Sequence, residues 1–431
     1  MRALRSVAQV DREIGRKHVV VLGGGFGGVG AAVNLRHADV DVTIVDRNDY
    51  HTFQPLLYQV ATDLLETTAV GHPLRDLFHE HPRVTVHEAV VTGIDLDSRR
   101  VDFERRDPIT YDYLVIALGA QATFFGVEGA AEHAFPLYTL ADAVRLRTHV
   151  LECWEDADRD PDLVESGALN VAIVGGGPTG VESAGALAEL YRRDFAEDYP
   201  DVPPDKARIV LLEAGDDLLT MFRADIRRYA RKALADRGVE VRTGEVVAAV
   251  EPTQVTLKSG EVIPTRTLVW GAGLMANSLV RGLGVDLQRG DRLPTEPDLS
   301  VTGHPEVFAV GDIAWTTVEG SDRALPQLGS VALQAGEHAA HNIARLEAGE
   351  ATKPFRYHDK GTMATIGRGA AVVQTHGGRT LKGRTAFLAW GAVHLALLST
   401  GEDRAKAAID WTWAGFSHER PGRISVRTDQ P

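Results

Sequence analysis

Residues 19–30 read VVVLGGGFGGVG, and the reading of this stretch decides the fold. Three valines and a leucine make a short buried strand, and Gly23, Gly25 and Gly28 follow at G-x-G-x-x-G spacing at the mouth of a helix. Each glycine has its own task. The first permits a tight turn, the second lets backbone approach a pyrophosphate, and the third lets helix pack on strand, so the helix N-terminus aims its free N–H groups at phosphate. A second apolar run, 42–45, ends in Asp46, an acid placed to accept hydrogen bonds from a ribose 2′-hydroxyl. Taken alone, one glycine triplet serves equally well as a plain structural turn.

The whole device occurs twice. Residues 171–180, VAIVGGGPTG, repeat the strand, the glycines (Gly175, Gly177, Gly180) and the helix start, and IVLLE at 209–213 repeats the strand that ends in an acid, here Glu213. Each half closes on a similar strand and turn, YLVIALGA at 113–120 with Gly119, and TLVWGAG at 267–273 with Gly273. Self-similarity at so long an interval means two related domains. The expected fold class is therefore α/β, with two Rossmann-type dinucleotide-binding domains and a C-terminal helical segment. A third feature belongs to the same chemistry: the apolar run 307–310 leads directly into Gly311 and Asp312, a close approach followed by an acceptor suited to the ribitol of a flavin.

Composition narrows the function. The 431 residues suffice for two or three domains, each with its own core. A net charge of −14 argues against a nucleic-acid partner, whose phosphates would be repelled. The single cysteine, Cys153, allows neither a disulfide framework within the chain nor a C-x-x-C pair, so electron transfer would need a bound cofactor. The sixteen histidines are scattered and no metal centre is expected. The first residues, MRALRSVAQVDREIGRK, are charged throughout and lack the apolar core of a secretory signal, which leads us to expect cytosolic exposure.

Along the chain, the pattern predicts a helix over 29–37, a strand over 84–91 and a hairpin over 94–103. Residues 47–65 are rich in Tyr50, His51, Phe53, Gln54, Pro55 and Tyr58; they form either a satellite core under a loop or a wall against a flat ring system. A helix over 140–156 carries Cys153 in a polar stretch at its end, and residues 192–208, with their prolines, read as an exposed connection. A helix over 325–346 bears Gln334, and 362–373 reads as a strand pair turning at 367–369. The run TAFLAWGAVHLALLS at 385–399 is apolar nearly all round but shorter than the roughly 20 residues a bilayer span needs. With IDWTWAGF at 409–416, and eight Lys/Arg against five Asp/Glu from residue 379 onward, this tail has two readings. One is a peripheral membrane element turning Phe387, Leu388, Trp390, Val393, Leu397 and Leu398 to lipid. The other is a helical hairpin buried in a homodimer interface.

From about residue 17 onward the chain resembles the type II (non-proton-pumping) NADH:quinone oxidoreductases. The matching stretches are VVVLGGGFGGVGAA, YHTFQPLLYQVAT, YDYLVIALGA, VGGGPTGVESAGALAEL, PEVFAVGDIA and YHDKGTMATIGR. The resemblance implies FAD at Gly23, Gly25, Gly28, Asp46, Gly311 and Asp312, with Gln54 and the residues to 62 near the isoalloxazine and with Val91 and Gly119 in the same site. It implies NADH at Gly175, Gly177, Gly180, Glu213 and Gly273, an active-site carboxylate at Glu182, and Lys360 and Gln334 on the quinone side. The implied domains are 17–135 and 274–378 for FAD, 136–273 for NADH, and 379–431 for membrane-associating helices. The implied reaction passes a hydride from NADH to FAD and two electrons on to a membrane quinone, without proton pumping, at the cytoplasmic side of the cell membrane. Two departures stand out. Where the family shows A-Q-x-A-x-Q this chain reads GSVALQ, with Ser330 in a glutamine's place, and STGEDR at 399–404 is polar where the family's tail is more apolar. Both leave open a soluble NAD(P)H-dependent flavoprotein reductase with another acceptor, or a flavin-based redox sensor.

Overall fold

The computed structural model describes residues 15–318 and 323–416. The charged N-terminal stretch up to residue 14 lies outside the described residues, as does the tail from 417 on, with three of its eight basic residues. The chain forms two compact units. One gathers the chain up to His51 with Pro73–Gln121 and Met275–His358; the other gathers Thr52–His72, Ala122–Leu274 and the chain from Asp359 onward. One of these cuts falls a residue from the sequence boundary at 273, while the others differ from those at 135 and 378. Packing explains the difference: the helix Leu57–Ala61 lies against the helix Leu140–Arg159, and the strand Thr362–Gly367 lies against the helix Pro178–Glu189, all within the second unit.

In the first unit the strands run in the order Ser300–Val301, His304–Ala309, Tyr113–Ile116, Lys17–Leu22, Val40–Asp46, Val84–Glu88. All neighbours are parallel except the short edge pair, where Ser300–Val301 runs antiparallel. Alternation along the buried strands sorts their side chains to two faces. Val19 and Val21 join Val42, Ile44 and Phe308 under the helices Phe26–Leu35 and Gly329–Glu347. Val20 and Leu22 join Leu114, Ile116 and Val307 under Val101 and Phe103 of an antiparallel ribbon, whose strands are Val91–Asp95, Arg100–Phe103 and Ile109–Thr110.

The second unit repeats the plan. Its strands run Ala134–Pro136, Thr267–Trp270, Val171–Val174, Ile209–Glu213, Val239–Thr243, all parallel. A three-stranded antiparallel ribbon, Val247–Glu251, Gln254–Leu257 and Val262–Pro264, again comes just before the strand that closes the domain and covers one face through Val250, Val255 and Ile263.

Three sequence expectations need correction. Cys153 does not mark a polar helix end: it lies inside the 20-residue helix Leu140–Arg159, buried with Leu146, Val150 and Ala157 on the inward stripe, while the charged neighbours that hid the stripe face outward. Residues 192–208 are not exposed throughout, because the helix after Glu189 widens into a π-helical turn, Leu190–Phe195, that buries Phe195 against Trp154. In the tail, Trp390 and Leu398 are 1 % and 2 % exposed and are not available to lipid. The tail helices Arg384–Leu397 and Gly401–Phe416 are seated by aromatic packing, with Trp390 stacked on His394 at 4.2 Å and tilted against Trp411 at 5.4 Å, and Phe53 edge-on to His394.

Candidate active site

Both glycine turns are built alike. Gly23 and Gly175 have φ of +107° and +110°, a conformation side-chain-bearing residues avoid, and each donates its N–H to the neighbouring strand, at Val45 O (2.7 Å) and Leu212 O (2.9 Å). Gly25 and Gly177 cap the helices at φ −76°, ψ −169° and φ −75°, ψ −177°. A Cβ on either would stand in open space with nothing within 4 Å, so a side chain here would fill the space in front of the helix N-terminus, the kind of position that suits an anion. A Cβ on Gly28 or Gly180 would instead strike the carbonyl oxygen of Gly23 or Gly175.

The two acids are also equivalent. Asp46 accepts from the N–H of Gly24 (2.6 Å) and of Asn48 (2.7 Å), and Glu213 accepts from the N–H of Gly176 (2.5 Å) and of Gly215 (2.6 Å). Each carboxylate thereby braces its glycine turn. Each oxygen keeps further acceptor capacity for a ribose hydroxyl. The residues fit two dinucleotides, one in each unit.

Gly311, in the first unit, opens the 3-10 turn just beyond the strand His304–Ala309, with the Ala332 Cβ 3.2 Å from where its own would stand; Asp312 follows in that turn, braced by Gln327, which donates to the Asp312 carbonyl at 3.0 Å. Val91 is buried at the start of the antiparallel ribbon, and the Gly119 carbonyl accepts from the Asn277 N–H at 3.2 Å. In the second unit, Gln54 donates to the Tyr138 carbonyl at 3.1 Å, and Gly273 lies under the ring of Phe125.

Glu182 is on the second glycine-turn helix, Pro178–Glu189. The residue is half-buried, but its carboxyl is densely enclosed, which pushes its pKa up to about 8; the Thr365 N–H, donating to Oε1 at 3.1 Å, pulls the other way without offsetting burial. A carboxyl titrating there holds its proton at neutral pH and can donate it. Such a shift, in a strand-and-helix setting beside a nucleotide turn, marks a functional candidate.

Comparison with known proteins places the whole chain in a family. Residues 17–336 match the family model described as pyridine nucleotide-disulphide oxidoreductase. Over 430 positions the chain is 36% identical to a type II NADH:quinone oxidoreductase of Mycobacterium tuberculosis, covering 96% of this chain and 91% of that one. It is 30% identical to a type II NADH:quinone oxidoreductase of Staphylococcus aureus, covering 86% and 93%. The chain belongs to the type II NADH:quinone oxidoreductases. Among solved structures, NDH2 of Plasmodium falciparum, determined in complex with NADH, shares the fold at TM-score 0.87 and 20% identity over 94% of this chain and 99% of that one. The sulfide:quinone oxidoreductase of Aquifex aeolicus shares it at TM-score 0.72 and 19% identity, over 95% and 96%.

The residues that family resemblance places at the quinone fall in both units. Gln334, in the first, has its amide engaged from both ends by the backbone of His358: Nε2 donates to the carbonyl (3.2 Å) and Oε1 accepts from the N–H (3.0 Å). Ser330, one helical turn before, is hydrogen-bonded to the Tyr357 hydroxyl at 3.0 Å. Lys360 is exposed in the second unit, beside Asp359, whose carboxylate holds the Gly361 N–H at 2.7 Å. Sequence reasoning did not single out Gln59, Thr365 or Trp411, which together with Tyr58 form a run of hydrogen bonds that ends at Glu182 in the second unit. The unusual density of aromatic and amide side chains in 47–65 pointed towards Gln59 alone.

Proposed function

We propose that this chain is an FAD-dependent NADH:quinone oxidoreductase that does not pump protons, holding FAD on the Gly23 turn and NADH on the Gly175 turn. The carrying observation is the pair of matched turns, each open in front of its helix and each braced by an acid, in a chain whose relatives share the length of the protein. A bound flavin supplies the two-electron chemistry that links NADH to a quinone. The chain supplies placement and protons. The backbone N–H groups at Gly25 and Gly177 hold pyrophosphates, Asp46 and Glu213 hold ribose, and Glu213 repels a 2′-phosphate. Glu182, protonated below about pH 8, is a proton donor on the helix that follows the Gly175 turn.

No helix of the described residues is long and apolar enough to cross a membrane. Attachment would be peripheral, at the cytoplasmic side, through the tail helices, where Leu388 (72 %), Ile409 (64 %) and Trp413 (56 %) are exposed. The decisive experiment starts with the absorption spectrum of the purified protein and chromatographic identification of the flavin released on heating. Steady-state oxidation of NADH with and without a short-chain quinone follows, and co-sedimentation with anionic vesicles completes it. Yellow protein releasing FAD, quinone-dependent turnover and vesicle binding at low salt are expected. Reduction of ferricyanide without any quinone turnover overturns the quinone assignment in favour of a soluble acceptor. A protein that stays in the supernatant as a dimer transfers the tail to a subunit interface.

A further inference from the structure

Four polar groups in the second unit form a continuous chain that ends at Glu182. Trp411 on the second tail helix donates its Nε1–H to the Gln59 side-chain oxygen at 2.7 Å. Gln59 donates from Nε2 to the Tyr58 hydroxyl at 2.8 Å, and that hydroxyl is 2.8 Å from the Thr365 hydroxyl. Thr365 then gives its backbone N–H to Glu182. Gln59, Tyr58 and Thr365 are all buried.

The chemistry of the first link fixes the rest. An indole nitrogen can only donate, so the atom facing it must be the amide oxygen, and the amide NH₂ must face Tyr58. The Tyr58 oxygen therefore accepts from Gln59 and is left to give its own proton to Thr365. Burial holds that proton in place by raising the phenol's pKa well above its ordinary value, and the Glu182 carboxyl adds to the effect. Every donor points from the tail toward Glu182. The chain is no proton wire, because its last link is a backbone amide and the Thr365 hydroxyl makes no step to the carboxyl. What it transmits is position.

We propose that Trp411, Gln59, Tyr58 and Thr365 are positioning residues through which the second tail helix sets the placement of the Glu182 carboxyl. The proposal rests on the reading of Glu182 as the catalytic carboxyl. The strand that carries Thr365 is free to act on the helix because the two approach closely: a Cβ on Gly185 would strike the Ile366 carbonyl. Removing the indole donor leaves a buried amide oxygen unpaired, which the amide can relieve only by turning and releasing Tyr58. The strand Thr362–Gly367 has no titratable side chain, whereas Tyr58 feels the charge of the Glu182 carboxyl and, more weakly, that of Glu189 further along the same helix.

The test uses the flavin-loaded enzyme and the variants W411F, T365V, T365S, W411F/T365V and E182Q. Two quantities are read: the pH midpoint of kcat with NADH and a short-chain quinone, and the titration of the carboxyl infrared band that E182Q abolishes, recorded without NADH. Because the Thr365 N–H favours the ionised carboxyl, its displacement in W411F and T365V should raise both midpoints by about half a unit, a threefold change in proton affinity. The double variant should move no further than the larger single one, and T365S should behave as wild type. A slower W411F enzyme with both midpoints unchanged, or shifts that simply add in the double variant, overturns the proposal. If the wild-type enzyme turns over no quinone while the infrared midpoints move as stated, the positioning chain stands and the assigned reaction falls; active enzyme with an immobile band in W411F does the reverse.

Discussion

The two glycine turns have backbone angles within a few degrees of each other, yet two residues beyond the third glycine they diverge completely. In the first unit that position is Gly30, where a Cβ would come within 2.8 Å of the Leu333 carbonyl on the helix Gly329–Glu347. In the second it is Glu182. There the closest approach falls three residues later, at Gly185 against Ile366, which frees position 182 for a long side chain. The nucleotide-binding turn is thus a fixed part, and what packs against the far side of its helix decides whether the next position must be empty or can carry chemistry.

The largest effect that could break this comparison comes from the open glycines. Gly25→Val should yield colourless, inactive protein, whereas Gly177→Val should remain yellow and lose NADH turnover by a hundredfold or more, in line with the cost of misplacing a reactant. Identical phenotypes would mean that the turns do not hold different ligands. The absorption spectrum and NADH kinetics of the two proteins decide it.

Glu182→Gln comes next, with kcat falling about 10²-fold, the lower range for a positioned acid or base, while the flavin spectrum is retained. The same variant should change the pH dependence of stability. The folded carboxyl titrates at about 8 against 4.5 for an ordinary one, so the unfolded chain loses this proton first, and wild-type stability falls as pH rises between those values and then levels off. The urea midpoint of E182Q relative to wild type should therefore rise across that window and not below it.

Discrimination between nucleotides sharpens the contrast of Asp46 with Glu213. A 2′-phosphate set against Glu213 meets like charge, which costs several kcal/mol at a binding interface, so kcat/KM for NADPH should be at least about 10²-fold below that for NADH. Glu213→Gln should narrow the gap while Asp46→Asn leaves it alone. Gly30→Ala should destabilise the fold by about 1–3 kcal/mol, an overpacking cost read from denaturant unfolding, whereas the same Ala at 182 should cost less. The smallest effect concerns the acceptor: Ser330→Gln adds one long amide and should lower KM for a short-chain quinone by the worth of about one hydrogen bond, roughly 0.5–1.5 kcal/mol.

Much of this was readable because glycine spacing, alternating strands and strand-ending acids are local signals. Asp46 and Glu213 each sit at the end of an apolar run, and the duplicated order of elements carries over into matching sheets. The inward stripe of the helix Leu140–Arg159 was masked by the many charges of its outer face. In the tail, the run 385–399 looks apolar all round, and only packing tells Trp390, turned inward, from Leu388, turned outward. The chain reaching Glu182 was illegible for a different reason. Its members stand at 58, 59, 182, 365 and 411, and no spacing rule relates the four separate stretches, which meet only after folding.

The way the first unit is assembled from separated stretches has a consequence for biosynthesis. The five strands of the second unit's sheet lie between residues 134 and 270, so that sheet can close while the chain is still being made. The first sheet begins earlier but ends later. Its strand Tyr113–Ile116 waits for a partner that pairs Val307 with Leu114, and until that partner emerges from the ribosome the edge bearing Leu114 and Ile116 is open to unwanted pairing. The older end of the nascent chain is therefore the last to be safe, and a ribosome that stalls between residues 270 and 304 should release a product with one finished sheet and one adhesive edge.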